Sequence, residues 1–257
     1  MKHIIGAPSS FGQMHRGVIL APNYFTINHN INFETHTGYQ KLYSKIRRIN
    51  NKERILTIGG DHSIGVSTIN AVNDTSIANN KRLSVIWVDA HADINTYKTT
   101  KSNNTHGMVV AFLLGLCKFQ HIKFVNVLCP SQIHYIGLRD VEHGEFDILK
   151  QLRINYYTSH DVYNYGILSI LHQIKEKVKN DDIHISFDVD ALSPHIMPCT
   201  GTIVRKGLTL DDAINIMRFF DKKQFRTADI VEFNPEIGND TDLDISLCTI
   251  NTIIQNL

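Results

Sequence analysis

The apolar run Leu83-Ser84-Val85-Ile86-Trp87-Val88 passes directly into Asp89-Ala90-His91-Ala92-Asp93-Ile94-Asn95. A run of this length and character reads as a buried strand. Side chains of an extended segment alternate in direction, so Asp89, His91 and Asp93 can leave the strand's carboxyl end converging on one point. One imidazole with two carboxylates suits a hard or borderline divalent cation such as Mn²⁺ or Zn²⁺. An ordinary polar loop after a strand would also supply Asp and Asn, so the rest of the chain has to decide between the two.

The rest of the chain alternates strand with helix. Further strands are expected at 2–6, 54–58, 132–137, 184–189 and 228–233. Helices are expected at 39–50, 63–72, 106–117, 145–152, 162–179, 208–220 and 242–257. Residues 9–35 read as loop with a short helix, and 73–81 as a polar turn. Such alternation predicts an α/β fold, a mainly parallel β-sheet with helices on both faces. With no linker tract, low-complexity segment or repeat, residues 1–257 read as a single domain.

The formal charge is +1, with acids and bases interspersed, which argues against nucleic acid or a membrane surface as the main partner. Cys117, Cys129, Cys199 and Cys248 form no CxxC pair, so neither a zinc ribbon nor a disulfide framework is suggested. A reducing compartment fits such cysteines. The first residues are too short in apolar length for a signal peptide. The longest apolar run, near 108–117, falls short of the ~20 residues a spanning helix needs. The expected location is cytoplasmic.

In open parallel sheets ligands bind at the carboxyl ends of strands, and here four strands end in ionisable residues. His62 follows the strand through Ile58, and Asp89, His91 and Asp93 follow Val88. Asp188 and Asp190 end the strand through Phe187, and Glu232 ends the one through Val231. Carboxylates at a buried strand end are costly without cations. Two histidines and four aspartates would satisfy two metal ions, with one or two carboxylates bridging.

These stretches resemble the ureohydrolases, and within them the arginases. The matching segments are Gly59-Gly60-Asp61-His62-Ser63, Asp89-Ala90-His91-Ala92-Asp93-Ile94-Asn95, Ser186-Phe187-Asp188-Val189-Asp190 with Pro194 and Pro198, and Val231-Glu232-Phe233-Asn234-Pro235. Ile5-Gly6-Ala7-Pro8, Ile136-Gly137-Leu138-Arg139-Asp140 and Thr200-Gly201-Thr202 extend the match. The resemblance implies the three-layer α/β/α fold of that family and its metal-dependent deacetylase cousins. It implies two Mn²⁺ per subunit, although the ligand types also tolerate Co²⁺. One ion would be held by His62, Asp89, Asp93 and Asp188, the other by His91, Asp89, Asp188 and Asp190. The chemistry implied is hydrolysis of the guanidinium group of L-arginine to L-ornithine and urea by a metal-bridging hydroxide. Glu232 would pair with the guanidinium. His106 would shuttle a proton to the leaving amine.

At the far end of the substrate, the resemblance assigns Asn95, Ser102 and Asn104 to the α-carboxylate. Glu142 and Glu145 would face the α-ammonium, and Thr202 would support Glu232 or the guanidinium region. Glu142 stands where the usual pattern has aspartate, and Cys199 where a small residue is usual. The segment between Arg16 and Gly59 is shorter than in typical arginases, and no counterpart of the C-terminal tail of trimeric vertebrate-type enzymes is expected. Asp211 falls where bacterial-type hexamers often place an interfacial arginine. Members of the family form homo-oligomers, trimers or hexamers. Agmatinase, formimidoylglutamase, a catalytically silent homologue and a zinc deacetylase are the competing readings. The Asn95/Ser102/Asn104 set speaks against the first two, and the complete ligand set against the third. A deacetylase would have fewer ligands and no counterpart of Glu232.

Overall fold

Strand β4 (Leu83–Val88) is buried along its whole length. Its side chains divide between two cores, with Leu83, Val85 and Trp87 in one and Ile86 and Val88 in the other. A strand covered on both faces has no solvent side, so its sequence shows no polar alternation. The computed structural model describes residues 3–49, 53–123 and 126–257. Within them β4 lies in one parallel sheet with β1 (His3–Ala7), β2 (His29–Asn30), β3 (Ile55–Gly59), β5 (Ile133–Leu138), β6 (Asn155–Thr158), β7 (Asp182–Asp188) and β8 (Phe225–Val231). The order across the sheet is β2-β1-β3-β8-β7-β4-β5-β6.

Helices α1 (Thr37–Arg48), α2 (Gly65–Ala78), α3 (Val109–Leu113) and α4 (His143–Leu152) supply the core on one face. Helices α5 (Ser159–Tyr165), α6 (Ile167–Lys177), α7 (Leu210–Phe219) and α8 (Asp240–Gln255) supply it on the other. The expected fold class is therefore the observed one.

Several boundaries differ from expectation for identifiable reasons. The single helix expected at 162–179 is two helices, because Gly166 sits at φ +77°, outside helical space. Helix α5 starts early on a reciprocal cap between Thr158 and Asp161. Helix α2 runs on into the expected polar turn at 73–81 and ends at Ala78. Asp74 accepts from Tyr43 and Asn126, and Ser76 donates to Asp182, so distant partners satisfy those polar groups. The helix expected at 106–117 is a 3-10 turn (Thr105–Met108) followed by the short α3, which ends before Gly115 at φ +70°. Strands β2 and β6 were not expected. Both are short and lie at the sheet's edges. Lys2 and Asn50, placed at the ends of an expected strand and helix, lie outside the described residues.

Candidate active site

The strands that end in ionisable residues, β3, β8, β7 and β4, are consecutive in the sheet. Because they run parallel, their carboxyl ends share one edge, and side chains far apart in sequence meet there. His62 lies in the 3-10 turn His62–Ile64 just past β3 and is fully buried. Its Nδ1 lies 3.2 Å from Asp89 Oδ2, from Asp93 Oδ2 and from Asp188 Oδ2. His91 Nδ1 lies 3.1 Å from Asp190 Oδ2 and 3.4 Å from Asp89 Oδ1. Two donor groups result, His62/Asp89/Asp188 and Asp89/His91/Asp190, each able to hold a metal ion, with Asp89 common to both. Asp188 was expected to bridge as well. It joins the first group, and its Oδ1 accepts the Asp190 backbone N–H at 2.8 Å.

The donor set fits divalent cations. His62 Nδ1 is buried with no hydrogen-bond partner among the described residues, amid three carboxylates. A cation would take the Nδ1 lone pair and leave the Nε2 proton to Ser186 Oγ, 2.9 Å away. Trp87 stacks on the same ring at 4.1 Å and donates its indole N–H to Asp89 Oδ2 at 3.0 Å. The titration of the site points the same way. Burial alone would depress His62, but Asp188, Asp89 and Asp93 together raise it well above its ordinary value. Burial, then Asp190 and Asp89, push Asp188 well up, and burial with Asp89 pushes Asp190 up to about 6. These carboxylates favour protons because they need positive charge, and a divalent cation can take the place of those protons.

Glu232 is buried just past β8. Its Oε1 accepts the His62 backbone N–H at 2.7 Å and lies 3.1 Å from His106 Nδ1. Burial opposes the charge on His106, but Glu232 outweighs it and raises the imidazole to about 9. Both Asp93 (φ +47°) and Glu232 (φ +67°) adopt left-handed backbone. For non-glycine residues this costs of order 1–3 kcal/mol each and concentrates at functional sites.

A cleft of about 290 Å³ opens over these groups. Its walls include Asn95, Ser102, His106, Glu142, Glu145 and Thr202, besides His91, Asp93, Asp188, Asp190 and Glu232. His62 and Asp89 lie buried beneath it. Asn104 is not brought to the wall, and its backbone N–H donates to Ser102 Oγ at 3.2 Å. Glu145 braces two loops, accepting from the Ile94 and Glu142 backbone N–H groups at 3.1 Å each. Burial, then Asp93, raise its carboxyl to about 7.

Sequence reasoning missed several contributors. Gln13 Nε2 donates to Glu232 Oε2 at 2.5 Å, while Thr202, expected to support Glu232 or the guanidinium region, lines the same cleft. Asp61 accepts from the Gly12 and Ser63 backbone N–H groups at 2.8 and 2.9 Å, fixing the loop that carries Gln13. The Arg139 guanidinium donates to backbone carbonyls of Gly137, Asp190, Ala191, Leu192, Val204 and Arg205, tying the Asp190 turn to the segment after Thr202. The match at Ile136-Gly137-Leu138-Arg139-Asp140 pointed to Arg139, without the contacts.

The arginase family model matches residues 23–256. The chain belongs to the arginase family. It is 42% identical to an arginase of Neurospora crassa over 199 residues, which is 74% of this chain and 55% of that protein. It thus spans little more than half the length of that relative, and 60% of the arginase of Coccidioides immitis. The crystal structure of Entamoeba histolytica arginase in complex with L-ornithine superposes with a TM-score of 0.90 at 29% identity, covering 99% of this chain and 97% of that one. Bacillus subtilis arginase superposes with a TM-score of 0.86 at 27% identity, covering 98% and 97%. The fold of the family is therefore that of the whole described sheet, with helices on both faces.

Proposed function

We propose that residues 1–257 act as a single ureohydrolase domain, a binuclear manganese hydrolase that converts L-arginine and water to L-ornithine and urea. The observation that carries this reading is the pairing of the two donor groups around Asp89 with the Glu232–His106 couple at the same end of the sheet. Two divalent cations held there would lower the pKa of a water and so supply hydroxide at neutral pH. The arginase of known structure that carries L-ornithine supports the substrate class.

The chain's own residues do the rest. Glu232 is held below its ordinary value by His106 despite burial, so it presents a carboxylate to a guanidinium. The guanidinium then lies oriented, with its carbon toward the donor groups. Addition of hydroxide to that carbon and cleavage of its bond to the chain nitrogen leave an amine that needs a proton. His106, raised to about 9, carries that proton at neutral pH. Asn95 and Ser102 receive the α-carboxylate, Asn104 holds Ser102 through its backbone N–H, and Glu142 and Glu145 face the α-ammonium. A site built around a substrate's polar group discriminates against analogues lacking it.

The test is urea release by Mn²⁺-loaded protein with L-arginine and agmatine side by side. Urea from arginine alone is the expected result. Urea from agmatine alone overturns the substrate assignment, and silence with both while metal is bound overturns the activity. We infer the family's trimeric or hexameric assembly as well, and light scattering that returns a monomer refutes it.

A further inference from the structure

Seven carboxylates line the cleft and, among the described residues, no lysine or arginine does. Even with two divalent cations beneath it, such a cleft is an unfavourable place for a substrate carboxylate. The neutral donors Asn95 and Ser102 offset that repulsion only through dipoles.

One cation does reach the cleft's rim. The Lys101 ammonium lies 3.3 Å from Glu142 Oε1, bridging the loop that carries Ser102 to the loop that carries Glu142. The other Glu142 oxygen, Oε2, accepts from Asn95 Nδ2 at 3.4 Å. Glu142, expected to read the substrate's ammonium, is therefore paired with Asn95, a group expected to read its carboxylate, and with a lysine next to another, Ser102. Lys101 is largely exposed (81%), so its side chain can change rotamer without disturbing the core.

We propose that Lys101 is a specificity-determining residue that recognises the α-carboxylate of an amino-acid substrate. This deepens the reading proposed above and rests on it. The substrate's ammonium competes with Lys101 for Glu142 and displaces it. Ammonium and carboxylate share one carbon atom, so the carboxylate arrives within a few ångströms of Glu142. It is then inside the swing of the lysine just released. Lys101 and Glu142 thus exchange their mutual contact for the two poles of the zwitterion. A ligand with the ammonium but no carboxylate displaces Lys101 and gives it nothing in return, so it binds at a disadvantage.

The experiment compares binding of L-ornithine and of 1,4-diaminobutane, which lacks the carboxylate, by calorimetry on the Mn²⁺-loaded protein. Wild type, Lys101→Met and Lys101→Arg are measured at low and high salt. An exposed charge pair of this kind is worth up to about fivefold in affinity. Lys101→Met should therefore lower the ornithine-to-diamine affinity ratio by up to about fivefold and leave the diamine no weaker, because Glu142 loses its internal competitor. Lys101→Arg should restore the ratio, and the preference should shrink as salt screens the charge. An unchanged ornithine-to-diamine ratio in Lys101→Met overturns the proposal, as does equal weakening of both ligands, which would mark a structural role. Urea release from arginine by the wild type alongside either of those results leaves the functional reading intact and sinks this inference alone. Failure of the wild type to bind ornithine overturns both.

Discussion

His134 lies on β5 with 1% exposure, and neither of its ring nitrogens has a hydrogen-bond partner among the described residues. Burial, then Lys177 and Arg82, lower its pKa from 6.5 to about 4. The folded chain thus keeps a neutral imidazole where the unfolded chain would accept a proton. Well above pH 6.5 neither state is protonated and the group imposes no pH dependence. As pH falls from 6.5 toward 4, the unfolded state binds the proton first and stability drops. At 1.36 kcal/mol per unit, the loss from this one residue is about 2 kcal/mol at pH 5 and about 3 kcal/mol by pH 4. The assay is urea unfolding of wild type and His134→Leu at pH 7.5 and pH 5. The leucine variant removes an unpaired buried polar group, so it should be no less stable at pH 7.5. Its loss between the two pH values should be smaller than the wild type's by about 2 kcal/mol. Equal losses in the two proteins would refute the reasoning.

Three further outcomes are expected. Asp190→Ala removes a donor from the Asp89/His91/Asp190 group and leaves His62/Asp89/Asp188 intact, so metal analysis after dialysis should show about one ion per subunit lost; full content with two ions argues against that donor group. His106→Asn should lower arginine turnover by about 100-fold with metal content near normal, and wild-type turnover across the pH range would remove His106 from proton transfer. Gly60→Ala would put a Cβ 1.9 Å from the Ser9 carbonyl oxygen, so thermal denaturation should show destabilisation of about 2–4 kcal/mol, and an unchanged melting temperature would contradict that contact.

Local pattern made much of the site legible. Asp89, His91 and Asp93 alternate on one extended segment, and Asp188 and Asp190 end another, so each set declares itself within a few residues. The apolar run of β4 likewise announced a strand buried on both faces. Where the chain was misread, the deciding partner was distant. Asn73 to Ala78 reads as a polar turn until Tyr43, Asn126 and Asp182 supply its hydrogen bonds. The break at Gly166 was visible as a glycine, but an amphipathic pattern on both sides concealed it.

The sequence by itself determined which residues can bind cations and that they stand at strand ends, because side-chain direction within one strand is a local property. Only the tertiary structure decided that β3, β8, β7 and β4 are neighbours, in an order unrelated to their order along the chain. That order brings His62, Asp89, Asp188 and Glu232 together, and it depends on how crossover helices pack across the whole sheet. The tertiary structure also chose Gln13 as the partner of Glu232 and Lys101 as the partner of Glu142. Such contacts join loops from different strands, and a local pattern of residue types carries no signal for a partner that only folding brings within hydrogen-bond distance.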